Sequence, residues 1–324
     1  MFVCVSLNPA VDKCLALAVL QLGKVNRAAK AEGAPGGKAA HVAMVLKTLG
    51  ADPLWLGFAG GSAGAALVAG LRELQIKVEA VAIAGETRTN LEIIEDDARV
   101  TEVLEPGPAI AEEELQRFQA TFQRILAKSA EPATVVFSGS LPPGLPSDYY
   151  ATLIRLAHAQ RGRVLLDASG EALKLGLAAG PDFVKPNQHE AESLSGSTIH
   201  DTACAEEVLQ RVMQLGAKAA AISLGAAGIV WRSERDEQTL IARVPKQVSR
   251  SCVGSGDATV AGFAYAAAHA LSPVEALRLA SACGVANCLA VAPGRARAAD
   301  IARMKDLVRV DTLVAEREDV RHAK

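Results

Sequence analysis

Val253-Gly254-Ser255-Gly256-Asp257 runs directly into the apolar stretch Ala258–Ala268. A glycine-rich turn that opens a buried helix aims several backbone N–H groups at one point, where the helix dipole also favours an anion. That combination is a phosphate site. Asp257 falls in the first turn of the same helix, so a carboxylate stands beside the expected anion. Binding alone would call for opposite charge there; a carboxylate suits proton removal during phosphoryl transfer.

Other fragments carry similar potential, each beside a plainer explanation. Pro35-Gly36-Gly37-Lys38 leads into the helical pattern Ala39–Leu49, so its amides and Lys38 could receive an anion or a sugar hydroxyl, or simply cap a helix. It is not a P-loop, which would need Gly at 32 and Ser or Thr at 39, where this chain has Glu32 and Ala39. Arg88, in Thr87-Arg88-Thr89-Asn90, offers forked donors for an anionic group, although exposed strand arginines are common. Ser138-Gly139-Ser140 follows an apolar strand and would place small residues and free N–H groups at its carboxyl end; a structural turn explains it nearly as well. Asn187 and Glu190, three apart at a helix start, suit a hydrated Mg²⁺ and equally suit a capping box. Ser223-Leu224-Gly225-Ala226-Ala227-Gly228 either approaches a nucleotide or makes a tight turn.

Composition removes several classes of function. The 324 residues carry 34 Lys and Arg against 36 Asp and Glu, with the basic residues scattered, and aromatic residues make up 4%. Neither the electrostatic footprint nor the stacking platforms of a nucleic-acid binder are present. The six cysteines lack metal-ligand or disulfide spacing and read as reduced core thiols of a cytoplasmic protein. No export signal is expected at the N-terminus. The uncharged stretch Ala258–Val274 is interrupted by His269, Ser272 and Pro273, and is expected to be a buried helix and a turn rather than a membrane span. Gly254-Ser255-Gly256 lacks the third small residue of a dinucleotide fingerprint and comes late in the chain, which disfavours a nicotinamide enzyme.

The elements that must position these residues alternate. Strand-like runs Val3–Leu7, Leu54–Phe58, Thr134–Phe137, Val164–Leu166 and Ala219–Ser223 are interleaved with helical patterns over Lys38–Leu49, Ala65–Leu74, Glu112–Lys128, Tyr149–Gln160, Ala205–Leu215, Thr259–Ala270 and Pro273–Ala290. This rhythm predicts an α/β fold with a mainly parallel sheet covered on both faces, and ligands beyond the carboxyl ends of the strands. Asp12–Ala34 and Thr87–Leu104 break the rhythm. The latter reads as a hairpin turning at Asp96-Asp97-Ala98, and together the two predict a small β-sheet lid. The expected organisation is one domain over 1–324, with lid segments at about 12–34 and 87–105 inserted in it.

As an ordered set the motifs resemble the phosphofructokinase B family of ribokinase-like sugar kinases, and within it the 1-phosphofructokinase and tagatose-6-phosphate kinase branch. The resemblance rests on Leu7-Asn8-Pro9-Ala10 with Asp12, Pro35-Gly36-Gly37-Lys38, Thr87-Arg88-Thr89-Asn90, Ser138-Gly139-Ser140-Leu141-Pro142, Asp167 with Ser169-Gly170-Glu171, Lys185-Pro186-Asn187, Ser223-Leu224-Gly225 and Gly254-Ser255-Gly256-Asp257. It implies a three-layer α/β/α kinase using ATP and Mg²⁺. Asp257 would be the general base, with the amides of Gly254, Ser255 and Gly256 neutralising the transferred phosphoryl group. Asp12, Gly37, Asn90, Gly139 and Ser140 would face the sugar, and Lys24, Lys38 and Arg88 would hold its phosphate. Lys185, Asn187, Ser223, Gly225, Gly228 and Gly284 would form the ATP site, with Asn187 and Glu190 holding Mg²⁺ through water. A homodimer joined through the lids is implied, because in some relatives the residue matching Lys24 reaches across from a partner.

Three residues depart from the family pattern. Ala39 replaces a glycine, His41 an asparagine, and Ser255 an alanine. The amide at 255 does the work, so Ser255 changes little, whereas His41 bears on the acceptor: as a hydrogen-bond donor it could serve a sugar hydroxyl or phosphate, with a charge that would change near neutral pH, or be a partly buried helix residue. A sugar or nucleoside without a phosphate is the alternative acceptor, and a non-catalytic sugar-phosphate sensor the alternative of another class; Asp257 argues against the sensor, which has no need of a base.

Overall fold

The computed structural model describes residues 1–313 apart from 237, 246, 248–250 and 291. The chain begins with β1 (Phe2–Ser6), β2 (Ala10–Leu17), β3 (Lys30–Gly36), α1 (Lys38–Thr48), β4 (Pro53–Ala59), α2 (Gly61–Glu73), β5 (Lys77–Ala82), β6 (Arg88–Glu95) and β7 (Val100–Leu104). It continues through α3 (Glu112–Ala127), β8 (Thr134–Ser138), α4 (Tyr149–Ala159), β9 (Arg163–Asp167), α5 (Gly170–Leu177), β10 (Phe183–Val184), α6 (Gln188–Ser195) and α7 (Thr202–Gln214). The last part holds β11 (Ala219–Ser223), β12 (Ile229–Ser233), β13 (Leu240–Arg243), α8 (Ser255–Ala268), α9 (Pro273–Cys288), α10 (Ala298–Leu307) and β14 (Arg309–Thr312).

Ten strands form one sheet in the order β14-β13-β12-β11-β10-β9-β8-β1-β4-β5. Neighbours from β11 to β5 are parallel, and β12, β13 and β14 add an antiparallel edge. Successive residues of a strand point to opposite faces, so Phe2 and Cys4 join one apolar layer while Val3 and Val5 join the other. The first layer holds apolar residues of α1, α2, α8, α9 and α10, and the second those of α3, α4, α5 and α7. Runs such as Val3-Cys4-Val5 are apolar throughout because both faces are covered. The class read from the sequence is the one observed.

A second, four-stranded sheet has the order β3-β2-β6-β7. β2 lies antiparallel to β3 and parallel to β6, and β6 and β7 form a hairpin. Its turn comes where Asp96-Asp97-Ala98 predicts it: Ala98 adopts φ 65° and its N–H donates to Glu95 O at 2.8 Å.

Boundaries differ from the sequence expectation where caps, not apolar periodicity, start a helix. α8 begins at Ser255 rather than Thr259, after Gly254 in the left-handed region at φ 75°. α7 begins at Thr202 rather than Ala205, because the Asp201 side chain accepts from Cys204 N. The antiparallel edge β12–β14 and the helices α5 and α10 are absent from the sequence reading. Of the cysteines, Cys4 and Cys283 are buried, Cys14, Cys204 and Cys288 are half-buried and Cys252 is exposed, so the expectation of core thiols holds for two. Ala258–Val274 comprises most of α8, a turn and the start of α9, and among the described residues no helix is long and apolar enough to cross a membrane.

The helices α8 and α9 approach closely through small residues. A Cβ on Gly262 of α8 would overlap the backbone of Ala280 on α9. Gly262→Val therefore forces the helices apart and is expected to destabilise the fold by about 1–3 kcal/mol, the usual range for overpacking. Thermal unfolding should register a loss of several degrees; a midpoint within about 1 °C of wild type would contradict the close approach.

Candidate functional site

The strand order turns on β1. From there the chain moves outward through β4 and β5 on one side, while β8, β9, β10 and β11 lie on the other. Ligands of such sheets sit beyond the carboxyl ends at this point. The carboxyl ends of β1, β8, β9 and β10 lead into Asn8, Gly139 and Ser140, Asp167, and Lys185. The small sheet departs from the same place, since β2 starts four residues after β1 ends.

Asp12 on β2 meets the start of α1 because residues 36 and 37 are glycines. A Cβ on Gly36 would overlap the Asp12 carboxylate, and Gly37 caps α1 with φ 82°. Gly37 N–H donates to Asp12 Oδ2 at 3.4 Å, and Asn90 Nδ2 donates to Asp12 Oδ1 at 3.0 Å. One turn into α1, His41 spans two carboxylates. Its Nε2 lies 2.9 Å from Asp12 Oδ2 and its Nδ1 2.8 Å from Asp257 Oδ2. All three residues are buried, Asp12 at 8%, His41 at 4% and Asp257 at 5% exposure. Burial disfavours a charged imidazole, but hydrogen bonds and attraction from Asp12 and Asp257 outweigh it and raise the His41 pKa to about 10. Burial likewise opposes charge on Asp12, yet His41, Asn90 and Gly37 hold its carboxyl below the usual range.

A second charged group centres on Asp167 at the end of β9. Lys38 Nζ lies 3.3 Å from Asp167 Oδ2, Ser138 Oγ donates to the same oxygen at 3.1 Å, and Lys185 Nζ lies 3.8 Å from Oδ1. Burial pushes the Asp167 pKa up, but the two lysines overcome it and the carboxyl stays below its ordinary value. Asp167 in turn raises Lys38. The Lys38 side chain keeps 41% of its exposure, so its ammonium can reach a ligand.

The first turn of α8 faces this group. The Lys185 ammonium is 3.5 Å from where a Cβ on Gly256 would stand. Among the described residues, the N–H groups of Gly256 and Asp257 carry no hydrogen bond, whereas Ser255 N–H donates to Cys252 O. Two open amides at a helix N-terminus beside a buried ammonium make an anion site. Asp257 Oδ1 also carries no hydrogen bond among the described residues, because His41 engages only Oδ2.

Asn287, which sequence reasoning passed over, braces this turn. It is buried within α9; its Nδ2 donates to Val253 O and its Oδ1 accepts from Gly294 N–H, both at 2.8 Å. Gly294 in turn packs on His41. An asparagine inside the apolar run Ala280–Ala290 was the available signal. Asn8 was quoted only within a motif; its Nδ2 donates to Pro106 O and Ser140 Oγ.

The remaining candidates divide. Asn187 caps α6, accepting from Glu190 N–H at 2.8 Å while Glu190 Oε2 accepts from Asn187 N–H at 2.9 Å, so the capping box is formed. Asn187 also bridges Ser223 at the end of β11. Gly225 is exposed with open space around it. Gly228 lies against Ala242 O, and Gly284 lies within α9, where a Cβ would overlap Thr259 Oγ1; helix and strand packing account for both glycines. Gly139 adopts φ 115° near Lys38. The two Nη groups of Arg88 are taken by Glu105 O at 2.8 Å and Asn8 O at 2.9 Å. Lys24 is exposed between β2 and β3 and makes no described side-chain contact with the other candidates.

Polar atoms without a hydrogen bond collect here. Among the described residues Asn8 Oδ1, Asn90 Oδ1, Arg88 Nε and Asp167 Oδ1 are buried and unbonded. Leaving each such group unpaired costs about 1–3 kcal/mol, and a polyhydroxylated ligand is chemistry that would pair them.

Comparison with known proteins gives the family. The model of the pfkB family carbohydrate kinases matches residues 5–296. The chain is 39% identical over 267 residues to a 1-phosphofructokinase of Xanthomonas campestris pv. campestris, covering 81% of this chain and 82% of that one. The structure of phosphofructokinase-2 from Escherichia coli, in complex with substrates and products, aligns with a TM-score of 0.87 at 28% identity, over 94% of this chain and 98% of that one. A chain described as a possible 1-phosphofructokinase from Thermotoga maritima aligns with a TM-score of 0.87 at 25% identity, over 97% and 99%. The glycine-capped α8, the carboxylate in its first turn and these similarities lead to one statement: the chain belongs to the pfkB family of carbohydrate kinases, and is a phosphotransferase acting on a sugar alcohol.

Proposed function

We propose that the protein transfers the terminal phosphoryl group of ATP to a primary hydroxyl of a ketohexose monophosphate, giving the bisphosphate. The carrying observation is the first turn of α8, where open amides and the Lys185 ammonium lie beside the Asp257 carboxylate. In this reading Asp257 takes the proton of the acceptor hydroxyl as its oxygen bonds to phosphorus and the bridging oxygen leaves with ADP. The N–H groups of Gly254, Gly256 and Asp257 offset the charge on the transferred group, the Ser255 N–H being taken by Cys252 O, and positioning supplies most of the rate. Asp12, Gly37, Asn90, Gly139 and Ser140 hold the sugar. Lys185, Asn187, Ser223 and Gly225 hold the nucleotide.

Among the described residues no group of three or more His, Cys, Asp or Glu could hold a metal by itself. Glu190 keeps one carboxylate oxygen outside its capping bond, which fits Mg²⁺ held through water and phosphate rather than in a protein cage. When bound, Mg²⁺ shields the negative charge of the nucleotide phosphates.

Lys38, half-buried and beside Gly139, is the best-placed cation for the acceptor's own phosphate. Arg88 spends both Nη groups on backbone carbonyls, an observation that favours a second reading in which the acceptor carries no phosphate. The chain reads as one kinase domain with the small sheet as lid, and its six free cysteines suit the cytoplasm. Leu22 and Val25, beyond β2, and Val103 and Leu104 on β7 are exposed, which supports a homodimer joined lid to lid.

With ATP and Mg²⁺ the purified protein is expected to turn over fructose 1-phosphate, tagatose 6-phosphate or fructose 6-phosphate, and Lys38→Ala to raise the acceptor KM by about tenfold or more. Activity confined to an unphosphorylated sugar, with its KM untouched by Lys38→Ala, would replace this reading with the second. For assembly, sedimentation should give twice the chain mass, and a Leu22→Lys, Leu104→Lys double variant should give a single chain mass. A wild type sedimenting as a single chain would remove the lid-to-lid dimer.

A further inference from the structure

His41 is placed where a neutral side chain would not be satisfied. An ionised carboxylate only accepts hydrogen bonds, and a neutral imidazole has one N–H to give. With a neutral ring and two ionised carboxylates, one of the contacts to Asp12 and Asp257 would set lone pair against lone pair in a buried site. An imidazolium satisfies both. The charge it answers is larger than this pair: Glu92 on β6 and Glu102 on β7 act on Asp12 and His41 from the small sheet, and Glu102 also on Asp257. On the basic side, Arg88 acts on Asp12 and Lys38 on Asp257. Lys38 is bonded to Asp167, so it cannot take the place of the imidazolium.

Resting on the reading of Asp257 as the base, we propose that His41 is a positioning residue: its imidazolium ties Asp257 Oδ2 to Asp12, keeps Asp257 ionised, and leaves Oδ1 free for the acceptor hydroxyl. The same imidazole links the residue that removes the proton to one that reads the sugar. A raised proton affinity at His41 is consistent with this, since its pKa of about 10 leaves the ring charged throughout the neutral range. The sign follows. Making position 41 neutral takes the shared positive partner from two buried carboxylates, so proton uptake by the site is favoured and activity is lost at higher pH than in wild type.

The test compares kcat/KM against pH for wild type, His41→Asn and His41→Gln, whose amides keep polarity without charge. The acid limb is expected to move up by about one unit or more, so that a deficit of about tenfold near pH 6 narrows as pH rises. An unmoved acid limb in the folded variants would overturn the proposal. Independently of turnover, ¹⁵N spectra of wild-type histidine should show both His41 nitrogens protonated from about pH 6 to about pH 9, and loss of a proton near about 6.5, the ordinary histidine value, would overturn it too. Wild type inert toward every sugar would refute the proposed function instead, leaving the spectra to decide on the imidazolium.

Discussion

A carboxylate must stay charged while buried at the very place where the fold gathers anions. Asp257 opens α8 beside two free amides and the Lys185 ammonium, and ahead of it a phosphate is expected. The helix dipole favours its charge by only about 0.3–1 kcal/mol, while an unpaired buried charge would cost several. The His41 contact meets that demand, and much of the surrounding structure serves to place His41. Gly36 and Gly37 let β2 approach α1, which brings Asp12 to the far side of the imidazole. Gly294 packs on His41, and Asn287 ties that glycine to the turn carrying Gly254.

The sheet places a complementary group beside it. Asp167, buried at the end of β9, draws Lys38 from α1 and Lys185 from β10 toward one point. Without it two ammonium groups would repel near the anion site; with it they are held in place, and Lys38 remains exposed enough to meet a ligand. Opposite, the small sheet contributes Asn90 and Asp12 on neighbouring strands. The unbonded Asn8 Oδ1 and Asn90 Oδ1 leave hydrogen-bond capacity where a polyol would lie. The body thus concentrates charge while the small sheet carries unbonded hydrogen-bonding groups, a division that would suit transfer to a sugar.

Much of this was legible in the sequence because it depends on local chemistry. Period and punctuation gave the parallel sheet and both halves of the small sheet, and the glycine-rich run placed Asp257 in the first turn of α8. The Asn187–Glu190 box formed as its spacing allows. What escaped depends on distant partners. Nothing near position 41 says that its two ring nitrogens will face residues 29 positions before it and 216 after it. Arg88 looked like a free clamp because its carbonyl partners, on Asn8 and Glu105, come from other segments. Gly284 looked like a nucleotide glycine, but close helix packing explains it without any ligand. The antiparallel edge escaped because it too depends on a distant partner: β13 pairs with β14, a largely exposed strand that follows α10.

The proposed transfer turns on Asp257 removing the proton of the acceptor hydroxyl. Asp257→Asn keeps the shape of the side chain and abolishes the base, so single-turnover rate and ligand affinity should separate. The expected result is a rate lower by about a thousandfold or more, with nucleotide and sugar-phosphate dissociation constants within about threefold of wild type. A variant that turns over within about tenfold of wild type would contradict it.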